Sequence, residues 1–552
     1  MILPADPIFS QLLLIARNSP DEVVIDDRNL HVQAGYSHLL HDAVQLAQQL
    51  RDSLSQGPST VGSAFIGILA PTSYESTVAS LAILAVGGVC VPISAGASLE
   101  ELAYTLKQCS ATCVLVGSQH QQTKLATQLQ EQTGILKLAI PVLSPGRPPI
   151  ESYTLDEDSI PSDDLPAFLF FTSGTTGAPK GVLHARRYLY AKFSVQQSEL
   201  TDELCLIYDS ICWSTCFISV LLHILRGERV ELHELDARYD LIWDRFRDCE
   251  ITKIHFSPTS WYTMMKVFQE RISKLPEPSV QAYIRGAQYI RTPITLGGIL
   301  PVPVKQFWLN LRGGRPIKVI YGSTEAGLLT VADPEASASE EASIGSPAPN
   351  VTVKLSDGDS GELLVKAPTL LLQYLNSPEL TASCFDSEGF YKTGDLVERQ
   401  GKNFIFRGRY KADFFKFWDH KIPRLHVESC LSSLPYIEEA HILPVADARC
   451  DNRVAALVRL RQDHTCVTLQ SIRKDLSTML PVYQMPTLLR ILGKGDEVPR
   501  TFSEKVAMKK TVERFFPRCN NDHFMDDSIE VLGIKEILQF ETTGPLELVE
   551  LW

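Results

Sequence analysis

The sequence predicts an α/β protein of several domains, built on mostly parallel sheets. Short apolar runs of strand character alternate with helical segments through the first part of the chain, the pattern of βαβ units. The 552 residues also exceed one ordinary domain and suggest about two to four. Hydrophobic residues make up 44% and charged residues 21%, the balance of a globular chain with ample core.

Taken in order, residues 8–17 read as an amphipathic helix (Ile8, Leu12, Leu13, Ile15, Ala16) stopped by Asn18-Ser19-Pro20. Ser63 to Leu69 has the character of a buried strand, Thr77 to Val86 is an apolar helix ending at Gly87-Gly88, and Val89 to Pro92 is the next strand. Leu102 to Gln108 reads as helix and Ala111 to Val116 as strand again. Further strands are expected at Ala167 to Phe171, Ile254 to Pro258, Gly361 to Val365, Ala440 to Val445 and Arg453 to Leu460. Residues 333–343, rich in Ala, Ser and Glu, read as a surface loop.

Composition narrows the function classes. The net charge is −13, with no basic tract of the kind that recruits nucleic acid or an anionic membrane. The N-terminal stretch lacks a basic region, and the apolar run Leu12 to Ala16 is too short for a signal or a membrane span. Twelve cysteines are scattered; Cys109/Cys113 and Cys212/Cys216 have no second pair or histidine at zinc spacing. Reduced thiols and a cytoplasmic location are therefore expected. The ending Glu550-Leu551-Trp552 is not a peroxisomal address.

The most informative stretch follows the strand ending at Phe171. Thr172-Ser173-Gly174-Thr175-Thr176-Gly177 leads through Ala178 to Pro179-Lys180-Gly181. A strand that empties into such a loop presents backbone N–H groups, hydroxyls and one ammonium, the equipment for holding a polyphosphate. It is not a Walker A loop, which requires Gly-Lys-Ser/Thr, whereas Lys180 lies between Pro179 and Gly181.

Thr172 to Gly181 resembles the phosphate loop of the ANL superfamily, which comprises acyl-CoA synthetases, peptide-synthetase adenylation domains and luciferases. The resemblance spans roughly residues 8–517 and recurs at spaced motifs. Leu296-Gly297-Gly298-Ile299-Leu300 resembles the turn against an adenine ring. Tyr321-Gly322-Ser323-Thr324-Glu325 follows about 150 residues after the phosphate loop. There an aromatic suits a purine, a hydroxyl suits phosphate, and a carboxylate suits the Mg²⁺ that accompanies ATP. Tyr391-Lys392-Thr393-Gly394-Asp395 places a carboxylate for ribose. Arg407-Gly408-Arg409-Tyr410-Lys411-Ala412-Asp413 resembles the family hinge, and Val498 to Val506 the segment carrying its mobile lysine, here Lys505.

The resemblance implies a large N-terminal domain of βαβ-type sheets with a β-barrel-like subdomain over residues 1–408. A small mobile α+β lid would follow over 409–517, hinged near Asp413, with 518–552 as an extra tail. It implies an ATP- and Mg²⁺-dependent acid–thiol ligase that forms an acyl-adenylate and passes the acyl group to coenzyme A. The alternatives are transfer to an acyl carrier protein or an amine, or a nucleotide-binding homologue without catalysis. In the implied site Thr172 to Gly177 and Lys180 hold phosphates, and Thr324 and Glu325 serve phosphate and metal. Asp395 and Arg409 hold ribose, and Lys505 bridges the reacting groups. Trp213, Phe217 and Trp261 are the candidates for the acid pocket.

Three positions depart from the family pattern. Glu504 replaces the glycine before the lysine, the hinge-side loop reads Phe417-Trp418-Asp419-His420, and His426 precedes Val427-Glu428 where an acidic residue is usual. The segment Pro258 to Met265 also lacks the arginine of malonate-specific members. A second carboxylate would need a cation, so an apolar or aryl monocarboxylate is expected. Lys266, Arg285 and Arg291 are the nearby cations outside the segment.

Overall fold

A computed structural model describes residues 1–54, 64–158, 160–172, 179–193, 198–233, 239–332, 342–409, 413–418, 420–447, 449–461, 467–500, 506–520, 523–524, 526 and 528–533. The chain divides into two compact units, Met1–Lys354 with Leu364–Lys392, and Leu355–Leu363 with Thr393–Trp552.

The first unit contains a seven-stranded sheet ordered Gln373–Tyr374, Lys180–Ala185, Pro166–Thr172, Val89–Ile93, Phe65–Leu69, Cys113–Val116 and Leu136–Ala139. The strands from Pro166–Thr172 onward run parallel. Lys180–Ala185 and Gln373–Tyr374 add antiparallel at the edge. Parallel strands covered on both faces need near-continuous apolar sequence, and every residue of Val89–Ile93 and Cys113–Val116 is buried. The same unit carries a second run of strands in the order Gly327–Val331, Lys318–Ser323, Thr292–Thr295, Lys253–Phe256, Leu204–Ile207, Arg229–Leu232 and Ile25–Asp27. From Lys318–Ser323 to Ile25–Asp27 these are parallel.

Helix starts are set by caps the apolar pattern does not show. The helix expected from Thr77 begins at Tyr74, because Ser73 and Ser76 form a reciprocal capping box. Ser98 and Glu101 do the same for Leu99–Gln108. All twelve residues of Tyr74–Ala85 are buried, as an all-round apolar helix requires. Pro7–Asn18 starts from Asp6, which accepts the Ile8 N–H at 2.7 Å. That carboxylate also meets the buried Arg186 guanidinium and, at 2.8 Å, the Tyr190 hydroxyl. Arg186 in turn donates to Leu84 O at 2.6 Å. The charges are thus compensated where an unpaired one would be costly.

The second unit is built on a six-stranded sheet ordered His420–Pro423, Phe414–Phe417, Asp451–Leu460, Leu488–Ile491 and Ile529–Val531, with Ile437–Asp447 also paired to Asp451–Leu460. The expected strands at 440–445 and 453–460 lie inside two of these. Ile529–Val531, from the stretch read as an extra tail, is an edge strand antiparallel to Leu488–Ile491. Glu530 accepts the Leu469 N–H at 2.6 Å, fixing that strand to a helix start. In the same unit residues 395–400, the end of strand Tyr391–Gln400, pair antiparallel with Asn403–Arg409.

The α/β multidomain class holds, and no closed barrel is formed among the described residues. Among the described residues the sheet strands lie in open order, with no first-to-last pairing of the kind that removes a barrel's edges. No helix among the described residues is long and apolar enough to cross a membrane.

Candidate active site

The strand leading into the expected phosphate loop leaves the core at its carboxyl end. Ala167 to Phe170 are buried, while Phe171 and Thr172 are half-buried. The chain returns with Lys180 opposite Thr172 and Gly181 opposite Phe171. The Thr172 hydroxyl donates to Lys180 O at 3.4 Å, closing the mouth of the hairpin. Ser173, Gly174, Thr175, Thr176 and Gly177 lie outside the described residues. Lys180 is exposed, and its ammonium stands 5.8 Å from the centroid of the Tyr374 ring.

Tyr374 links this lysine to the second motif. Its hydroxyl donates to Glu325 Oε1 at 3.0 Å. The Tyr391 hydroxyl is 3.5 Å from that of Tyr374. Burial first, then the Glu325 charge, pushes both phenols well above the usual tyrosine range, so each keeps its proton for donation. The Glu325 backbone is pinned by Leu371 N–H at 2.7 Å, and its neighbour Ala326 by the Thr369 hydroxyl at 2.5 Å. Glu325 is half-buried, and its carboxylate is a hard oxygen donor of the kind a divalent cation takes.

The motif stands on a tight fold-back between Lys318–Ser323 and Gly327–Val331. A Cβ at Gly322 would lie 2.1 Å from Gly327 O, so no side chain fits there. Thr324 is fixed from beneath by His184, whose Nε2 donates to Thr324 O at 2.7 Å. His184 is fully buried against Tyr188, with ring centroids 4.1 Å apart. Burial pulls its pKa down to about 3, the imidazole remains neutral at ordinary pH, and Nδ1 has no hydrogen-bond partner.

Gly297 and Gly298 follow the strand Thr292–Thr295 and are exposed. Gly297 has φ +85°, a conformation that favours glycine. Thr295 pairs with Val319 in the parallel neighbour that leads to Tyr321, so the two motifs stand at the carboxyl ends of adjacent strands. Open α/β sheets place ligands at such ends. Tyr321 and Thr324 are half-buried.

In the second unit, Asp395 is 2% exposed and lies opposite Arg409 across the hairpin. Arg409 Nε donates to Asp395 Oδ1 at 2.9 Å. The Asp395 N–H is held by Thr393 Oγ1 at 3.1 Å, and the Gly394 N–H by Glu362 Oε1 at 2.8 Å. Asp413, the expected hinge residue, accepts from Arg409 N at 3.0 Å and from Arg424 Nη2 at 2.6 Å. Arg424 also reaches Glu428, whose carboxylate receives the Ile442 N–H at 2.9 Å. His420 stacks on Tyr483 at 4.2 Å. Lys505 and Glu504 lie outside the described residues, as does Asp419.

The acid-pocket candidates occupy different environments. Trp213 is half-buried at the N-terminus of helix Ser214–Leu225. Phe217 is buried edge-on to Phe168 and Phe170, 5.8 and 5.6 Å away. Trp261 has no exposed surface; its indole donates to Ile294 O at 3.1 Å and packs edge-on to Phe256 and Trp308. Of the outlying cations, Lys266 is 4.0 Å from Glu270, Arg291 pairs with Asp202 at 2.7 Å, and Arg285 is exposed on its helix. Nearby Asp209 is pushed up to about 6 by burial.

Sequence reasoning missed His184, Tyr374 and Tyr391 as parts of this arrangement. Tyr391 lies inside the Tyr391–Asp395 motif, whose sequence assigns it no role. Tyr374 and His184 carry no local signal: each acts through a partner far along the chain.

A family model described as AMP-binding enzyme matches residues 14–375. The chain is 98% identical to the acyl-CoA ligase oryP of Aspergillus oryzae over 552 residues, covering 100% of both. It is 25% identical to a mitochondrial malonate–CoA ligase of Bos taurus over 90% of this chain and 88% of the relative. Its fold matches that of ATP-bound MatB from Rhodopseudomonas palustris, with a TM-score of 0.75, 20% identity, and 92% and 98% of the two chains covered.

Proposed function

The chain belongs to the AMP-binding enzyme family, and on that premise we propose that it is an ATP-dependent acid–thiol ligase. In this reading a carboxylic acid and ATP give an acyl-adenylate and pyrophosphate, and coenzyme A then takes the acyl group and releases AMP. The observation that carries the reading is the joint engagement of Lys180 and Glu325 by Tyr374, in a chain 98% identical to an acyl-CoA ligase. An ammonium and a carboxylate held beside one buried phenol supply a phosphate ligand and a metal ligand from two separate motifs.

The protein's part is to position and neutralise charge, with no protein nucleophile. Thr172 to Gly177 and Lys180 take the β- and γ-phosphates. Thr324, its backbone fixed by His184, offers its hydroxyl to phosphate. Glu325 fits a Mg²⁺ ion, being an oxygen donor oriented by Tyr374; when bound, such an ion neutralises phosphate charge. Gly297, Gly298, Gly322 and Tyr321 border the adenine, Asp395 and Arg409 serve the ribose, and Lys505 bridges carboxylate and α-phosphate. The residues 1–408 and 409–517 remain our division into body and lid. A cytoplasmic setting remains our reading.

For the acid, Trp213 and Phe217 offer aromatic area, and the segment beginning at Pro258 holds Ser260, Tyr262, Thr263 and Met264 but no cation. Arg291 is engaged by Asp202. An apolar or aryl monocarboxylate gains about 0.8 kcal/mol per buried CH₂ in such a lining, whereas a second carboxylate meets no cation within that segment. Carboxylate-dependent ATP–pyrophosphate exchange, followed by addition of coenzyme A, tests the reading. Exchange with medium-chain or aryl acids and thioester formation are expected. Malonate preferred over every monocarboxylate would overturn the acid assignment. Exchange without thioester would overturn the acceptor in favour of a carrier protein or an amine, and no exchange with any acid would overturn the ligase reading itself.

A further inference from the structure

A second cluster of reactive side chains lies in the first unit, built from residues with no role in the nucleotide site. Cys205 sits on the strand Leu204–Ile207 opposite Lys253 of the parallel strand Lys253–Phe256. Side chains alternate across a strand, so His255, two residues beyond Lys253, shares the face of Cys205. Helix Ser214–Leu225 contributes His223 one turn beyond Ser219. The outcome is three donors, one each from Cys205, His223 and His255, all within 4.8 Å of one another.

The surroundings orient these donors. His223 Nδ1 faces the Glu228 carboxylate, whose other oxygen accepts from Lys253 Nζ at 2.6 Å. His255 Nδ1 is 3.1 Å from the Ser219 hydroxyl. Each imidazole is therefore held through one nitrogen, the arrangement that fixes ring orientation when the other nitrogen binds a metal. His223 is 3% exposed, and beyond Glu228 its ring interacts with the fully buried Cys205 thiol. A thiol and an imidazole turned toward each other in a buried place, with a second imidazole beside them, are the donor types a borderline cation takes.

We propose that Cys205, His223 and His255 form a binding site for a zinc ion. Thiolate and imidazole favour a soft or borderline cation over Mg²⁺ or Ca²⁺. Zinc–sulfur bonds of about 2.3 Å and zinc–nitrogen bonds of about 2.0 Å put tetrahedral donors roughly 3.3–3.6 Å apart. The present spread of up to 4.8 Å would contract to that range on binding. Among the described residues the cluster supplies three donors, leaving the fourth position to water. The ion would clamp helix Ser214–Leu225, which begins beside Trp213, to the strands bearing Cys205 and His255.

Metal content of the full-length protein, purified without affinity metals and titrated with Zn²⁺ against a chromophoric chelator, tests the site. A zinc ion per chain is expected, with affinity lowered at least tenfold in Cys205→Ser and His255→Gln. Glu228→Gln should lose about 10- to 100-fold through the freed His223 ring. Retention of zinc by wild type no better than by Cys205→Ser would overturn the proposal. X-ray absorption at the zinc edge of the wild-type protein stands even where a variant fails to fold. A shell with a single sulfur and nitrogen or oxygen neighbours supports the site, whereas a shell with no sulfur, or with several, overturns it.

Discussion

Replacing Tyr374 by Phe isolates one hydrogen bond at the proposed metal carboxylate. The ring stays, so the contact 5.8 Å from the Lys180 ammonium is retained, while the 3.0 Å donor to Glu325 Oε1 is lost. A hydrogen bond to a charged acceptor contributes about 1.5–3 kcal/mol. Glu325 is half-buried, so water can partly replace the phenol, and the low end of that range applies. About 1.4 kcal/mol corresponds to a tenfold change in affinity. Calorimetric titration with ATP at several Mg²⁺ concentrations should therefore show roughly tenfold weaker Mg·ATP binding in Tyr374→Phe. The deficit should shrink as Mg²⁺ rises, because the misoriented carboxylate is the step affected. Glu325→Gln removes the ligand charge itself and should be worse at every Mg²⁺ concentration. Two results would refute the reasoning: binding by Tyr374→Phe equal to wild type throughout, or a deficit independent of Mg²⁺.

Three further outcomes are expected. Lys505→Ala should slow adenylation by roughly 10²–10³, the scale for one preorganised charged donor, while thioester formation from supplied acyl-adenylate suffers far less; equal losses in both half-reactions would misplace the residue. Asp395→Ala should weaken ATP binding by about 1.5–3 kcal/mol, and unchanged calorimetric affinity would remove it from the site. His184, with a folded-state pKa of about 3 against an ordinary 6.5, favours the neutral form in the folded protein. Its contribution to stability is thus present above pH 6.5 and is lost as pH falls from there toward 3, at up to about 1.4 kcal/mol per pH unit. Thermal melts across that range should fall more steeply for wild type than for His184→Leu, and parallel curves would contradict the assignment.

What the sequence determined by itself was local in character. The alternation of apolar runs is written in neighbouring residues, so the parallel strands at 65–69, 89–93 and 113–116 were legible within a few positions. Helix starts were less so, because Ser73 and Ser98 set them through caps upstream of the apolar run. Spaced motifs nominated Lys180, Glu325 and Asp395, since the phosphate, metal and ribose roles we propose for them are read from short peptides. The tertiary structure alone decided how those peptides are supported. Tyr374 meets Glu325, His184 meets Thr324, and His223 meets Glu228 and the face holding Cys205 and His255 because sheets and helices bury specific faces. The cysteines carry no zinc spacing in sequence: the cluster exists only through the register of two parallel strands and one covering helix. Ile529–Val531 likewise became a sheet strand only where Leu488–Ile491 offered an open edge. Trp261 illustrates the limit from the other side, for an aromatic on an apolar helix face has the same sequence pattern whether it meets a ligand or, as its buried indole does, Phe256 and Trp308. Propensity and spacing act between neighbours, whereas burial couples residues that only the folded chain brings together.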